Sequence, residues 1–221
     1  MTVIAIDGPA GSGKSTVARL LAARLGWLYL DTGAMYRAVA YLALRDGVAL
    51  DDAASLTALT RNAHISFTPE GRVLAGETDV SEEIRRPSVS ASVSEVSAHA
   101  AVRDILVEQQ RRLAQDGDCV MEGRDIGTVV FPDAAVKVYL TADPAVRAER
   151  RRKELIAKGE HTSSAETLAA IEARDRFDAG RDVAPLRAAA DAVVVDTTAL
   201  SIDEVVAALS ALVGDRDAVG R

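Results

Sequence analysis

The stretch that decides the fold is AIDGPAGSGKST, residues 5–16. Its glycines are too dense for a helix or a strand, and a lysine and two hydroxyls follow them at once. Gly8, Gly13, Lys14 and Ser15 satisfy the spacing G-x-x-x-x-G-K-[ST]. The β-branched run TVIAI (2–6) precedes the loop, and KSTVARLLAARLG (14–26) reads as a helix after it. In that context glycine lets backbone N–H groups turn inward around phosphate oxygens, and the helix N-terminus adds partial positive charge. Gly8, Pro9, Ala10, Gly11, Ser12, Gly13, Lys14, Ser15 and Thr16 are therefore the expected cradle. Lys14 reaches the β and γ phosphates, and the Ser15 hydroxyl suits Mg²⁺. A plain glycine turn with a chance lysine accounts for neither the pattern nor its setting. A nucleoside triphosphate site follows. A kinase does not, because switches, motors and ATPases share such a loop.

Outward from the loop, Val17, Leu20, Leu21 and Leu25 are expected on one helix face, Arg19 and Arg24 point away, and Gly26 closes the helix. LYL (28–30) reads as a second strand and GAMYRAVAYLALRDG (33–47) as a helix ending in glycine. CVMEG (119–123), AVKVYL (135–140) and AVVVD (192–196) are mostly continuous apolar runs, as expected of parallel strands covered on both faces. Helical segments at 101–115 and 144–158 separate them. Asp143-Pro144 is a good helix start, and SIDE (201–204) is a capping box. This alternation predicts an α/β fold with a mainly parallel sheet. Two regions break it. Residues 60–99 contain ISFTPEGRVLAG, a hairpin with its turn at Glu70-Gly71, then the Ser-rich RRPSVSASVSEVSA, together read as an insertion over the active edge of the sheet. Residues 147–165 are basic, then polar with a glycine, and read as a mobile cover. The tail 214–221 is expected to fray.

The 221 residues, 48% hydrophobic, suffice for one substantial core. The formal net charge of −7 argues against general nucleic-acid binding, which needs a basic face. Cys119 is the only cysteine, so no internal disulfide forms. The start lacks a basic leader, and no stretch approaches the ~20 apolar residues of a membrane span. A cytoplasmic protein without a membrane partner is expected. His64, His99 and His161 lack metal-ligand spacing and read as ordinary core or surface residues.

The sequence also suggests an acceptor side. No N-K-x-D motif for guanine is present. LDTGAMYR (30–37) puts Asp31 and Thr32 just past the second strand and Arg37 a turn into the next helix. EGRDIG (122–127) also follows a strand. Ligands of open α/β sheets bind beyond the carboxyl ends of the strands, so both groups are expected at one cleft. Glu122 suits a metal-bound water, while capping or a loop ion pair is the plainer role for Asp31 and Glu122. ARDRFDAGR (173–181) spaces Arg174, Asp178 and Arg181 at i, i+4 and i+7, one stripe of a helix. The plainer role there is a surface ion-pair ladder worth ~0.3–0.5 kcal/mol per pair.

IAIDGPAGSGKST, LDTGAMYR, DVSEEIR, VSEVSAHAAVRDILVEQQR, EGRDIGTVVFPDAAVKVYL and RDRFDAGRDVAPL together resemble the bacterial cytidylate kinases, from about residue 3 to about residue 210. The resemblance implies a P-loop nucleoside monophosphate kinase as one domain over 1–221. It implies a five-stranded parallel core flanked by helices, a monophosphate-binding insertion at 60–99 and a lid at 147–165. It also implies transfer of the γ-phosphoryl group of ATP to CMP or dCMP in pyrimidine nucleotide metabolism, with Mg²⁺; a monomer is expected. Carried onto matching positions, Arg37 and Arg124 hold the acceptor phosphate. Thr32, Arg103, Asp125 and Arg181 lie around the cytosine, and Ser94, Arg174 and Asp178 near the sugar and its phosphate. Lys14, Arg124 and Arg181 act in transfer. Thr32 stands where several relatives have serine, which keeps the hydroxyl. Phe177 and Ala179 stand where some have basic residues, which lowers the charge of the stripe.

The residue types suit the base. Cytosine offers an amino donor at N4 and acceptors at N3 and O2, so a carboxylate paired with arginine has the matching polarity, and uracil reverses it. Asp125 with Arg103 or Arg181 is that pair. Arg147, Arg150, Arg151 and Arg152 are lid arginines or a solvated helix face. Two other readings use the same cradle: a kinase of a small metabolite hydroxyl with Asp31 as base, and a nucleotide-binding regulator without catalysis.

Overall fold

The computed structural model describes residues 1–68 and 70–219, with side chains through residue 214. In chain order the elements are β1 (Val3–Asp7), α1 (Lys14–Leu25), β2 (Leu28–Asp31), α2 (Thr32–Asp46), α3 (Ala53–Asn62), β3 (Ile65–Phe67), β4 (Val73–Ala75), β5 (Thr78–Asp79), α4 (Pro87–Ala98), α5 (Ala100–Leu113), β6 (Cys119–Gly123), β7 (Val136–Thr141), α6 (Pro144–Ala157), α7 (Ser164–Ala179), β8 (Val193–Asp196) and α8 (Ile202–Val219). A five-stranded parallel sheet has the order β2-β6-β1-β7-β8, and β3-β4-β5 form a small separate sheet. The helices between the parallel strands make this the α/β architecture that the sequence predicts. Two compact units share the chain: Leu28–Cys119 with Met1, and Thr2–Trp27 with the residues from Val120 onward.

The second unit carries the glycine loop. Every residue of β1 is buried, and β1 pairs in parallel with β7 from Ile4↔Val136 to Asp7↔Tyr139. A continuous apolar run suits a strand covered on both faces. β8 pairs with β7 in the same sense, yet Val194 is 59% exposed. The expectation that this run is buried on both faces is wrong: β8 is the last strand of the sheet and has one strand neighbour. In α1 the buried stripe is Val17, Ala18, Leu21 and Ala22, and Leu20 is 41% exposed. Leu20 therefore does not share the core face. At 3.6 residues per turn it lies about 130° round the helix from the middle of that stripe, and the two alanines take the close contacts instead. Gly26 is left-handed at φ 69°, and the Trp27 N–H closes on the Ala22 carbonyl at 2.9 Å.

Capping follows the sequence. The Asp143 carboxylate accepts the N–H groups of Ala145 (2.8 Å) and Val146 (3.4 Å). At the start of α8, Ser201 N–H donates to Glu204 Oε2 (2.8 Å) and Glu204 N–H to Ser201 Oγ (3.3 Å). Of the tail expected at 214–221, residues through Val219 are helical, and 220 and 221 lie outside the described residues.

In the first unit, Met35, Val39 and Leu42 of α2 share a core with Val89, Val93 and Val96 of α4 and with Val102 and Leu106 of α5. The Ser-rich segment is thus a helix. Its valines recur at i, i+4 and i+7, and Pro87 occupies the first turn, where its missing N–H costs nothing. β3 and β4 pair antiparallel from Ile65↔Ala75 to Phe67↔Val73. Gly71 sits at φ 80° in the turn and donates to the Thr68 carbonyl at 2.8 Å. His99 Nε2 lies 2.7 Å from the Leu50 carbonyl, a structural tie. Cys119 is buried, and burial pushes its thiol up to about 11. Among the described residues no helix is long and apolar enough to cross a membrane.

The stripe on α1 gives a paired prediction. Leu21→Ala leaves a cavity and costs ~2–5 kcal/mol, whereas Leu20→Ala costs under ~1 kcal/mol. Urea unfolding of both variants measures the difference; equal losses contradict the assigned face.

Candidate active site

The cradle is built by close approach. Gly8 adopts φ 153°, and a Cβ there would stand 2.1 Å from the Leu140 carbonyl oxygen. Gly11 adopts φ 73°, with the Arg147 carbonyl 2.8 Å from its would-be Cβ. Neither position admits a side chain. Lys14 is buried and its ammonium donates to the Pro9 carbonyl at 3.1 Å. Ser15 lies exposed on the first turn of α1.

Arg147 is no solvated lid residue. It is buried, and its guanidinium donates to the carbonyls of Ala142 (2.9 Å) and Ala10 (3.0 Å) and to Asp175 (2.6 Å). It braces the glycine loop against α7. Arg150 donates to Thr197 Oγ1 (3.0 Å) and to its carbonyl (2.6 Å), and Thr197 Oγ1 donates in turn to the Ser12 carbonyl (3.1 Å). Arg151 and Arg152 pair along α6 with Glu154 and Glu149.

Arg124, Arg174 and Arg181 meet at Asp178. Arg124 Nε donates to the Asp178 carboxylate at 2.9 Å, Arg174 Nε stands 3.9 Å from it, and Arg181 Nε donates to the Asp178 carbonyl at 3.2 Å. Asp178 is only 3% exposed. Burial pushes its carboxyl up, but the three guanidiniums outweigh it and hold the group below the usual carboxylate range. A surface ladder is thereby excluded. The single-helix stripe also needs correction. α7 ends at Ala179, Gly180 caps it, and Arg181 returns from beyond the helix end. Two guanidiniums thus face the Asp178 carboxylate and a third its carbonyl, which gathers three cations at one point of the unit.

Asp7, at the end of β1, was not singled out from the sequence. Its Oδ1 accepts the N–H of Ile126 and its Oδ2 that of Gly127, each at 2.8 Å. Burial raises its pKa to about 6; the two amides and Lys14 pull it down, and Asp125 pushes it up. Asp125 is buried, and its carbonyl accepts the N–H groups of Val129 (2.9 Å) and Val130 (3.2 Å) at the start of the π turn Ile126–Val130. Glu122 is buried at the end of β6. The signal for Asp7 was available: it is the strand-end carboxylate directly before Gly8.

In the first unit Asp31 caps α2, accepting the Ala34 N–H at 3.0 Å, with Arg85 3.8 Å away. Thr32 opens α2 and is buried. Arg37 Nη1 donates to Ser90 Oγ at 2.8 Å. Arg103 is buried on α5. It donates to the Ser97 carbonyl at 3.3 Å and lies 5.4 Å from the centre of the Tyr36 ring. Ser94 is half-buried on α4, and its carbonyl accepts from Ser97 Oγ at 3.0 Å. Ser90 and Tyr36 escaped notice in the sequence, although Ser90 lies one helical turn before Ser94.

The raised Asp7 pKa has a definite sign. Between pH 4 and 6 the unfolded carboxyl binds fewer protons than the folded one, so the contribution of Asp7 to stability falls as pH rises and is fully lost above 6. Two pKa units correspond to about 3 kcal/mol. Asp7→Asn does not titrate. The stability of the wild type minus that of the variant should therefore fall by about 2–3 kcal/mol from pH 4 to pH 7 in urea unfolding. A difference that stays flat contradicts the assignment.

A family model described as cytidylate kinase matches residues 4–214. A cytidylate kinase of Geobacter sulfurreducens is 50% identical over 218 residues, covering 97% of this chain and 94% of that protein. One of Carboxydothermus hydrogenoformans is 50% identical over 219 residues, 98% and 99% of the two chains. The solved structure of an uncharacterized protein from Eubacterium ventriosum aligns at TM-score 0.53 and 12% identity over 97% of this chain and 99% of that one, a likeness of fold alone. The match takes in the glycine loop, the strand-end motifs and the arginines around Asp178, and the chain belongs to the cytidylate kinase family.

Proposed function

We propose that this protein transfers the γ-phosphoryl group of ATP to CMP or dCMP, giving CDP or dCDP. The observation that carries the reading is the cluster of Arg124, Arg174 and Arg181 on buried Asp178, in the same unit as the phosphate cradle. A protein that only senses ATP has no use for a second cationic centre. A hydroxyl kinase needs a base, and Asp31 is already committed to the helix cap and faces Arg85.

The acceptor in this reading is a phosphate oxygen, largely ionised at neutral pH because its second pKa is about 6. No general base is required. Catalysis is alignment and charge neutralisation. Lys14 takes the β and γ phosphates, Arg37 and Arg124 the acceptor phosphate, and Arg181 the developing charge. Thr32, Arg103 and Asp125 read the cytosine, with the carboxylate accepting from N4. Ser94, Arg174 and Asp178 serve the sugar and its phosphate. A buried carboxylate facing the uracil carbonyl is a mismatch that rejects UMP by orders of magnitude.

The donors suit Mg²⁺. Ser15 offers an exposed hydroxyl at the head of α1, and Glu122 is a buried carboxylate able to hold a metal-bound water. Mg²⁺ favours a few protein oxygens with water and substrate phosphates over a full protein cage. Among the described residues no group of three His, Cys, Asp or Glu offers such a cage. Bound there, the ion would supply charge neutralisation between the phosphates. The net charge of −7 fits an enzyme that acts on free nucleotides in the cytoplasm, as a monomer, with neither nucleic acid nor membrane as partner.

A coupled ATP-consumption assay across CMP, dCMP, UMP, AMP and a panel of sugars tests the reading; turnover confined to a hydroxyl acceptor overturns it. Lys14→Ala should lower kcat on the order of 10²–10³-fold with every acceptor. Asp125→Ala should raise the KM for CMP by roughly 10–100-fold while ATP affinity stays near that of the wild type. Equal losses of CMP and ATP binding in both variants contradict the division of roles.

A further inference from the structure

We propose that Asp7 is a positioning residue for acceptor selection: by gripping the amides of Ile126 and Gly127 it sets how Arg124 and Asp125 are presented. The inference rests on the functional reading above and deepens it.

The geometry is specific. Asp7 divides its two oxygens, one to each of two successive N–H groups 119 and 120 residues away, both at 2.8 Å. Those amides directly follow Asp125. The carboxylate therefore fixes the backbone on the C-terminal side of the residue assigned to the cytosine amine. The other side is tied as well, because Arg124 Nε is held at 2.9 Å by Asp178 and its Nη1 lies 3.4 Å from the Gly123 carbonyl. Between these ties Asp125 adopts φ −145°, ψ 26°, and the next residues form a π turn, a motif that recurs at functional sites. Lys137 closes the remaining freedom. A Cβ at Gly127 would stand 3.2 Å from Lys137 Cδ and 3.4 Å from Asp7 Oδ2. Gly127 thus lies against both, with the lysine stem packed beside the turn that the carboxylate holds.

Each Asp7 oxygen accepts a protein amide from the turn, so the action assigned to Asp7 is on the turn that carries Asp125. A purely structural carboxylate would lower stability and leave base preference alone. A positioning carboxylate ties base preference to its two hydrogen bonds. Asp7→Asn is the matched change. It keeps the shape and one acceptor oxygen, and places an NH₂ against the other N–H.

In the full-length protein, Asp7→Asn should raise the KM for CMP about tenfold and lower the CMP-over-UMP ratio of kcat/KM by a similar factor. The KM for ATP should stay within about threefold. A wild type active on CMP whose Asp7→Asn variant is merely less heat-stable, with CMP KM and base ratio unchanged, overturns this inference and leaves the functional reading standing. A wild type that consumes no ATP with CMP overturns both. Should the variant fail to fold, wild-type hydrogen exchange decides. Linkage is reciprocal: if the clasp favours CMP, CMP must favour the clasp by the same factor. Saturating CMP should slow exchange of the Ile126 and Gly127 amides about tenfold, and ATP alone much less. Equal protection by both nucleotides, or none by CMP, overturns the proposal.

Discussion

Two carbonyl groups leave no room for a side chain at Gly8 or Gly11, and the seating of the loop in the second unit depends on that crowding. The Leu140 oxygen stands where a Cβ on Gly8 would go, and the Arg147 oxygen where one on Gly11 would nearly go. Leu140 belongs to β7, whose parallel register with β1 is fixed along the strand from Ile4↔Val136. The loop is therefore seated jointly by its own glycines and by the carbonyls of β7 and α6 that close on them. Once it sits there, Arg147 comes within reach of the Ala10 carbonyl and can hold α7 to the loop through Asp175. At the packing density of a protein interior such a contact has no slack to give.

Buried charge shapes the same unit. Burying an ion costs several kcal/mol unless partners replace its water, and this unit buries several with their partners supplied. Asp178 has guanidiniums, Asp7 has two amides, and Arg147 has two carbonyls and a carboxylate. Lys137, whose stem lies along Gly127, reaches both oxygens of Asp191 at 2.9 and 2.8 Å. Dipoles and charges fixed in this way need little rearrangement when a polyanion arrives, which is the condition for electrostatic catalysis. The overall acidity of the chain does not weaken that, because local clustering and not the total decides the potential in a cleft.

The sequence revealed most where the cause is short-range. The loop spacing, the Asp143 and Ser201 caps and the Gly26 and Gly47 ends are each decided within a few residues, and each stands in the structure. What depends on distant neighbours was harder to read. Leu20 looks like any core leucine until α1 is laid on its neighbours. AVVVD has the same composition at the edge of a sheet as in its middle. Serines hid α4, although the valine spacing was there to be counted. Arg181 seemed to extend the α7 stripe because Gly180, which ends the helix, is one letter in a polar run. Arg147 read as one more base on a basic helix, and Asp7 finds its partners more than a hundred residues away. The candidate site was legible as a set of residue types; its internal bracing was not.

Cys119 has a practical corollary. A thiol pushed up to about 11 is ionised in only about one molecule in ten thousand at neutral pH, and it is sealed in the interior besides. Burial and the raised thiol both slow its reaction with maleimides and mild oxidants in the folded protein. Any cysteine introduced on its surface becomes the sole handle for a dye or a spin label. Distances between chosen points can be followed as nucleotides bind, against a buried and slow-reacting parent thiol.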